Sequence, residues 1–146
     1  IFCIMHIPGK SPRIITKQCS TIDLYSTIAE LAEAKIEKKS EIQGESLLHL
    51  IENPSAENRA VFVETGGLYG PWPSPEKHNI FCVKMDGKKL IYNDTPQSWE
   101  FYDLKNDPNE ENNIYEENSK VIANLKKQLI KHLKENNIET KLINFR

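Results

Sequence analysis

The sequence predicts an α+β fold: the last strand–helix unit of an α/β sheet, then a small antiparallel β-sheet packed against a long C-terminal helix. Three observations carry this. An almost unbroken apolar run, Ile1 to Ile7, opens the chain and precedes an amphipathic stretch. Short β-type runs crowd between Ala60 and Leu104 around an Asp86-Gly87 turn. Apolar residues then recur at helical spacing from Ser119 to about Asn136.

Taken in order, the run Ile1–Ile7 reads as a strand buried on both faces, as in the middle of a parallel sheet. Such a strand needs neighbours on both sides, and the rest of the chain offers few. The expectation is therefore that the preceding part of a larger fold is missing, and that the strand self-associates or becomes disordered when left alone. Pro8-Gly9-Lys10-Ser11-Pro12 ends it with turn chemistry. Ser20-Thr21-Ile22-Asp23 has the form of a capping box, and Leu24, Tyr25, Ile28, Leu31 and Ala32 follow at helical spacing. A helix is expected from about Thr21 to Ala34. A short helical turn follows, Leu47 to Ile51, stopped by Asn53-Pro54. Residues 1–55 are thus assigned to the end of a larger α/β domain and 56–146 to a C-terminal subdomain.

In that subdomain Ala60–Thr65 is a strand. Gly66 to Lys77, with three glycines, three prolines, Tyr69 and Trp72, is too punctuated for a tight turn and reads as an exposed loop. Asn79–Met85 and Lys88–Asn93 form a hairpin around Asp86-Gly87, a strong two-residue turn signal. Trp99–Leu104 is a further strand. Ile122, Leu125, Leu129 and Leu133, widened by Val121 and Ile130, form the apolar stripe of the last helix, and its lysines cover the remainder. Leu142-Ile143 is placed as an edge strand.

Composition narrows function by exclusion. The 146 residues carry 19 Lys+Arg against 21 Asp+Glu, a net charge of -2. That balance argues against a general nucleic-acid binder and against a polybasic membrane anchor. No apolar run has the length of a membrane-spanning helix. Cys3, Cys19 and Cys82 are an odd, widely spaced set that implies no disulfide framework and no zinc site, although one pair remains open.

The histidines His6, His49, His78 and His132 are far apart. His6 is expected in the core and His49 and His132 on the surface. Only His78, beside the Gly/Pro/Trp loop, has a functional setting. Asp103, Asp107 and Glu110 miss the spacing of a calcium-binding loop, and Asp-Pro turn chemistry accounts for them. No phosphate-binding loop, dinucleotide fingerprint, zinc-protease helix or nucleophile elbow occurs.

Six short segments go further together than any does alone. Gln18-Cys-Ser-Thr-Ile-Asp-Leu-Tyr-Ser-Thr-Ile-Ala-Glu-Leu-Ala32 resembles the sulfatase pattern V-S-x-V-D-L-Y-P-T-L-L-D-L-A, with Ser26 at the usual proline. His6-Ile-Pro-Gly-Lys10 is similar to W-P-G-K, and Ile42-Gln-Gly-Glu-Ser-Leu47 to x-D-G-x-S-L. Arg59-Ala-Val-Phe-Val-Glu64 matches R-x-x-F-x-E. Val83-Lys84 with Lys89-Leu-Ile-Tyr92 resembles V-R-x-x-x-Y-K-L-I. Trp99 to Leu104, Asn106-Asp-Pro108 and Glu111-Asn-Asn113 resemble E-L-Y-D-L-x-x-D-P-x-E-x-x-N. Spanning about residues 5 to 114 in the family's order, they resemble the C-terminal part of a sulfatase of the alkaline-phosphatase-like superfamily.

The resemblance implies a sulfuric ester hydrolase as parent protein. It implies a formylglycine nucleophile made from C/S-x-P-x-R and a calcium held by aspartates, because a charged transition state needs a metal and preplaced cationic donors. Neither C/S-x-P-x-R nor an aspartate-rich metal segment is in this sequence, so no catalytic or metal residue is assigned and the fragment is expected to be inactive alone. Its implied partners are the N-terminal sulfatase domain and, through that parent, a sulfate-ester substrate. The candidate substrate-binding residues are Tyr69, Trp72, His78 and Lys84: two rings to stack on a sugar or aromatic group, and two cations for an anion. A stand-alone binding module and a phosphodiesterase or phosphonate monoester hydrolase are the alternatives.

Overall fold

The computed structural model describes residues 3–35, 42–53, 55–65, 80–117 and 119–143. The chain forms two compact units, Ile1–Glu57 and Asn58–Arg146.

In the first unit Cys3 to Ile7 forms no strand, and His6 is exposed. Ile4 is 85% exposed. This corrects the expected buried strand and core histidine for the described residues. The physical reason is local: a strand with no ladder partner leaves its amides to water. Residues 3–19 instead border a cavity of about 760 Å³ together with Leu47, Leu50 and Ile51. Arg13 fastens this segment by donating from its guanidinium to the Ile51 carbonyl at 2.5 Å.

Helix α1 spans Asp23–Leu31 and α2 spans Leu48–Glu52. The apolar stripe of α1 lies on its exposed side. Tyr25 and Ile28 are each 62% exposed, and Ile22 and Leu31 face outward with them, while Asp23, Thr27 and Ala29 are buried. The polar residues point inward because they hold the 43–47 segment by hydrogen bonds, which a Tyr or Ile could not do.

The second unit is a four-stranded antiparallel meander with one helix across it. Strands β1 (Val61–Thr65), β2 (Ile80–Met85), β3 (Lys88–Asn93) and β4 (Ser98–Asp103) lie in chain order, and α3 spans Lys120–Glu135. Asp86 and Gly87 take positive φ of 51° and 75°, the pair that a tight hairpin between β2 and β3 requires. The register puts Phe62, Val83, Leu90 and Phe101 in one row and Glu64, Phe81, Tyr92 and Trp99 in the next.

These rows face α3, whose Ile122, Leu125, Leu129 and Leu133 are buried among them. Each such side chain contributes about 1.5–3 kcal/mol by leaving water. The expected stripe is therefore present, although Val121 lies outside it at 48% exposure. Leu142 and Ile143 do not form an edge strand. They sit in a turn closed by Thr140, whose carbonyl accepts from the Ile143 amide, and pack against the core.

Candidate functional site

Three of the four candidate substrate residues, Tyr69, Trp72 and His78, lie outside the described residues. The fourth, Lys84, is exposed on β2. It stands in a cross-sheet row with Val61, Lys89 and Tyr102. The connection 66–79 leaves the sheet where Thr65 pairs with Ile80. Lys84 is four residues further along β2, about 13 Å at strand rise.

The sheet face carrying Lys84 is the one opposite α3. Along it Cys82 is buried, and burial pushes its thiol up to about 11. Tyr102 donates to Glu100 Oε2 at 2.7 Å, and this bond, helped by burial, pushes the phenol up to about 12. Lys89 pairs with Glu110 at 2.5 Å.

The segments that resemble the sulfatase patterns turn out to be fasteners. Asp23 is fully buried at the start of α1. Its carboxylate accepts from the Ser20 amide at 2.6 Å and from the Glu45 amide at 3.1 Å. The first bond is the backward half of the expected capping box. The forward half is replaced by the Asp23 amide donating to the Ser20 carbonyl, and Ile22, not Ser20, precedes the helix. Thr27 donates to the Asp23 carbonyl at 2.7 Å and accepts from the Leu47 amide at 2.9 Å. Ser26 donates to the Gly44 carbonyl at 2.7 Å. Three side chains from one helix thus bind three backbone positions of the segment 44–47.

The second fastener closes the edge of β4. Asn113 accepts from the Phe101 amide at 3.0 Å, and the Ile114 amide donates to the Phe101 carbonyl at 2.9 Å. Asp107 accepts from the amides of Glu111 and Asn112 at 3.0 and 2.9 Å. Asp103 is held below the usual carboxylate range, first by Lys88 at 2.5 Å and then by Asn106 and the Lys105 amide. The Asp-Pro turn chemistry expected of Asp103 and Asp107 is what they perform. Between this edge and α3, Lys126 Nζ lies 4.6 Å from the Trp99 ring and donates to the Tyr115 hydroxyl at 2.6 Å.

His132 corrects the expectation of a surface residue. Its ring stacks on Phe62 with centroids 3.9 Å apart and planes 4° from parallel. Nε2 lies 2.8 Å from Glu64 Oε1. Asn136 Nδ2 donates to the His132 carbonyl at 2.8 Å and points its amide at Nδ1, 3.2 Å away. An amide donor at Nδ1 favours the tautomer with the proton on Nε2, which then donates to Glu64. Only the tertiary pairing with β1 shows this role. His49 is exposed as expected.

Among the described residues no group of three or more His, Cys, Asp or Glu could hold a metal ion. The residues present do not fit the calcium or the formylglycine of the resemblance, and no chemical step is assigned to them.

Comparison with known proteins bears on the whole chain. Residues 2–138 match the family model described as N-sulphoglucosamine sulphohydrolase, C-terminal. The chain is 32% identical, over 134 residues, to an N-acetylglucosamine-6-O-sulfatase of Bacteroides thetaiotaomicron, a match that covers 82% of this chain and 22% of that one. It is similar to a protein solved in complex with its substrate D-glucosamine-2-N,6-O-disulfate, with a TM-score of 0.64 and 25% identity over 85% of this chain and 25% of that chain. A further similar fold comes from glycosaminoglycan metabolism in Bacteroides thetaiotaomicron. Its TM-score is 0.67, at 22% identity over 90% of this chain and 30% of that chain. The chain therefore spans less than a third of the length of each of these relatives.

Proposed function

We propose, from the premise that this chain belongs to the N-sulphoglucosamine sulphohydrolase C-terminal family of sulfatases, that it is the non-catalytic C-terminal part of a hydrolase acting on sulfate esters of amino sugars. The observation that carries this is the family match over residues 2–138, together with a relative whose name specifies a 6-O-sulfated N-acetylglucosamine. The chain's own residues supply structure and substrate contact, and the reactive centre belongs to the rest of the protein. A formylglycine and a calcium would be supplied there, by residues this chain does not contain.

Two features support a role as a supporting part. The outward face of α1, with Ile22, Tyr25, Ile28 and Leu31, is an apolar stripe of the kind that a larger α/β domain covers. The residues between Thr65 and Ile80, among them Tyr69, Trp72 and His78, connect β1 to β2 and would shape the substrate cleft. Lys84 would meet an anionic group of the substrate.

The test uses the full-length product that contains this chain. Release of sulfate from N-acetylglucosamine 6-O-sulfate is expected, with no release by the 146-residue chain alone. Trp72→Ala and Tyr69→Ala should raise KM with an unchanged thermal midpoint. Hydrolysis of aryl phosphonate esters in place of sulfate esters would transfer the reading to the phosphonate monoester hydrolases. Turnover by neither would overturn it.

A further inference from the structure

We propose that the lysine row on α3 is a docking surface for a sulfated polysaccharide. Lys120, Asn124, Lys127, Lys131 and Lys134 are all exposed. At 3.6 residues per turn they fall within about 80° of one another around the helix, directly opposite the buried Ile122, Leu125, Leu129 and Leu133. From Lys120 to Lys134 the row is about 21 Å long at helical rise.

The charge in this stretch departs from the rest of the molecule. Residues 120 to 134 contain five lysines and no aspartate or glutamate, in a chain of net charge -2. The fifth, Lys126, is turned away and engaged with Trp99 and Tyr115. Among the described residues of this stretch, Glu116 and Glu117 precede the helix, Glu139 follows it, and Glu135 lies 3.7 Å from Lys131 in an exposed pair.

Helix stability does not account for the whole row. Lys131 and Lys134, near the C-terminus, complement the helix dipole, but Lys120 opens the first turn, where a cation is disfavoured, and no acidic residue stands in that turn. What the four lysines share is one straight line of exposed charge.

Lysine is a flexible point charge that pairs with sulfate or phosphate oxyanions spaced along a chain. No aromatic residue is exposed on α3 to stack on nucleic-acid bases. No large apolar side chain lies among the five positions of the row to enter a lipid surface. The choice of a sulfated glycan rests on the function proposed above.

The test measures binding of the full-length product that contains this chain to a heparin oligosaccharide across a salt series. The variant carries Lys120→Gln, Lys127→Gln, Lys131→Gln and Lys134→Gln, and the control carries Lys10→Gln, Lys105→Gln and Lys141→Gln. Circular dichroism establishes that each is folded, and the single variants Lys127→Gln and Lys131→Gln stand in if the multiple variant is not. The row variant is expected to lose about tenfold or more in affinity and to show a shallower salt dependence, with the control within about twofold. Equal losses in row variant and control, or no binding by the unaltered product, would overturn the proposal. Tighter binding of single-stranded RNA or of phosphatidylserine vesicles than of heparin would do the same. Sulfate release from the monosaccharide by the full-length product reads the proposed function separately, because a monosaccharide has no length with which to reach the row.

Discussion

Gly44 lies so close to Ile22 that a methyl group on its Cα would sit 2.0 Å from the Ile22 carbonyl oxygen. The contact is backbone against backbone, so no side-chain rotation relieves it. Gly44→Ala must push the segment 43–47 away from α1 and break the Ser26, Asp23 and Thr27 bonds to it. The expected cost is about 2 kcal/mol or more. Chemical denaturation followed by tryptophan-independent circular dichroism measures it, and faster amide exchange at Glu45 and Leu47 locates it.

Thr27 supplies the second expectation. Its hydroxyl is fully buried and serves two backbone groups at once. Thr27→Val keeps the shape and removes the oxygen, so the Leu47 amide is left without its acceptor. A loss of about 1–3 kcal/mol follows from burying an unpaired donor. Thr27→Ser, which keeps the oxygen, should recover most of it in the same denaturation experiment.

These two positions explain how much could be read from the chain itself. The meander and α3 were legible because alternation, an Asp-Gly turn and a 3.6-residue stripe each have one structural meaning. The orientation of α1 was not, because Tyr25, Ile28 and Leu31 mark an apolar face without saying what covers it. Periodicity assigns such a face to the core by default. Here the inward side is chosen by the hydrogen bonds of Asp23 and Thr27 to segment 43–47, which no local pattern reveals. The sulfatase-like segments announced the family, and the structure shows that Asp23, Gly44, Asp107 and Asn113 within them act on backbone amides and contacts. Of the candidate substrate residues only Lys84 falls among the described residues, and its position across the sheet depends on strand pairing.

The cysteines differ in reactivity by their surroundings. Cys3 and Cys19 are exposed, whereas Cys82 is buried with its thiol pushed up to about 11. At about pH 8 almost none of Cys82 is thiolate, and the thiolate is the reactive form. Intact-mass analysis after iodoacetamide treatment should show adducts on Cys3 and Cys19 only. Unfolding in guanidinium should expose Cys82 to a third.

The Lys88–Asp103 pair gives stability a pH dependence of defined sign. Asp103 has a folded pKa below its ordinary value, so the folded state binds its proton less readily than the unfolded chain does. The stabilisation is therefore complete above the ordinary carboxylate value and is lost as pH falls through the lowered one. Urea midpoints of the unaltered chain and Asp103→Asn should differ near neutral pH and converge in acid, as pH falls through the lowered value. A difference that persists unchanged into acid would mean that the pair contributes through shape and not charge.

His132 joins α3 to β1 by two separable interactions, and substitutions can divide them. The stacked Phe62 ring, 3.9 Å away, depends on a flat side chain at 132, while the bond to Glu64 depends on a donor at Nε2. Glu64→Gln retains an oxygen acceptor for a neutral imidazole, so a change below about 0.5 kcal/mol is expected, the size of an ordinary surface substitution. His132→Ala removes both the ring contact and the donor and leaves Asn136 without its partner at Nδ1. A loss of about 1–3 kcal/mol is expected, within the range for truncating a half-buried ring. His132→Phe keeps the stack and removes the donor, and its stability should fall between the two. Denaturant midpoints of the three variants order the contributions. A Glu64→Gln variant as unstable as His132→Ala would show that the imidazole is bound as a cation whose partner must carry charge.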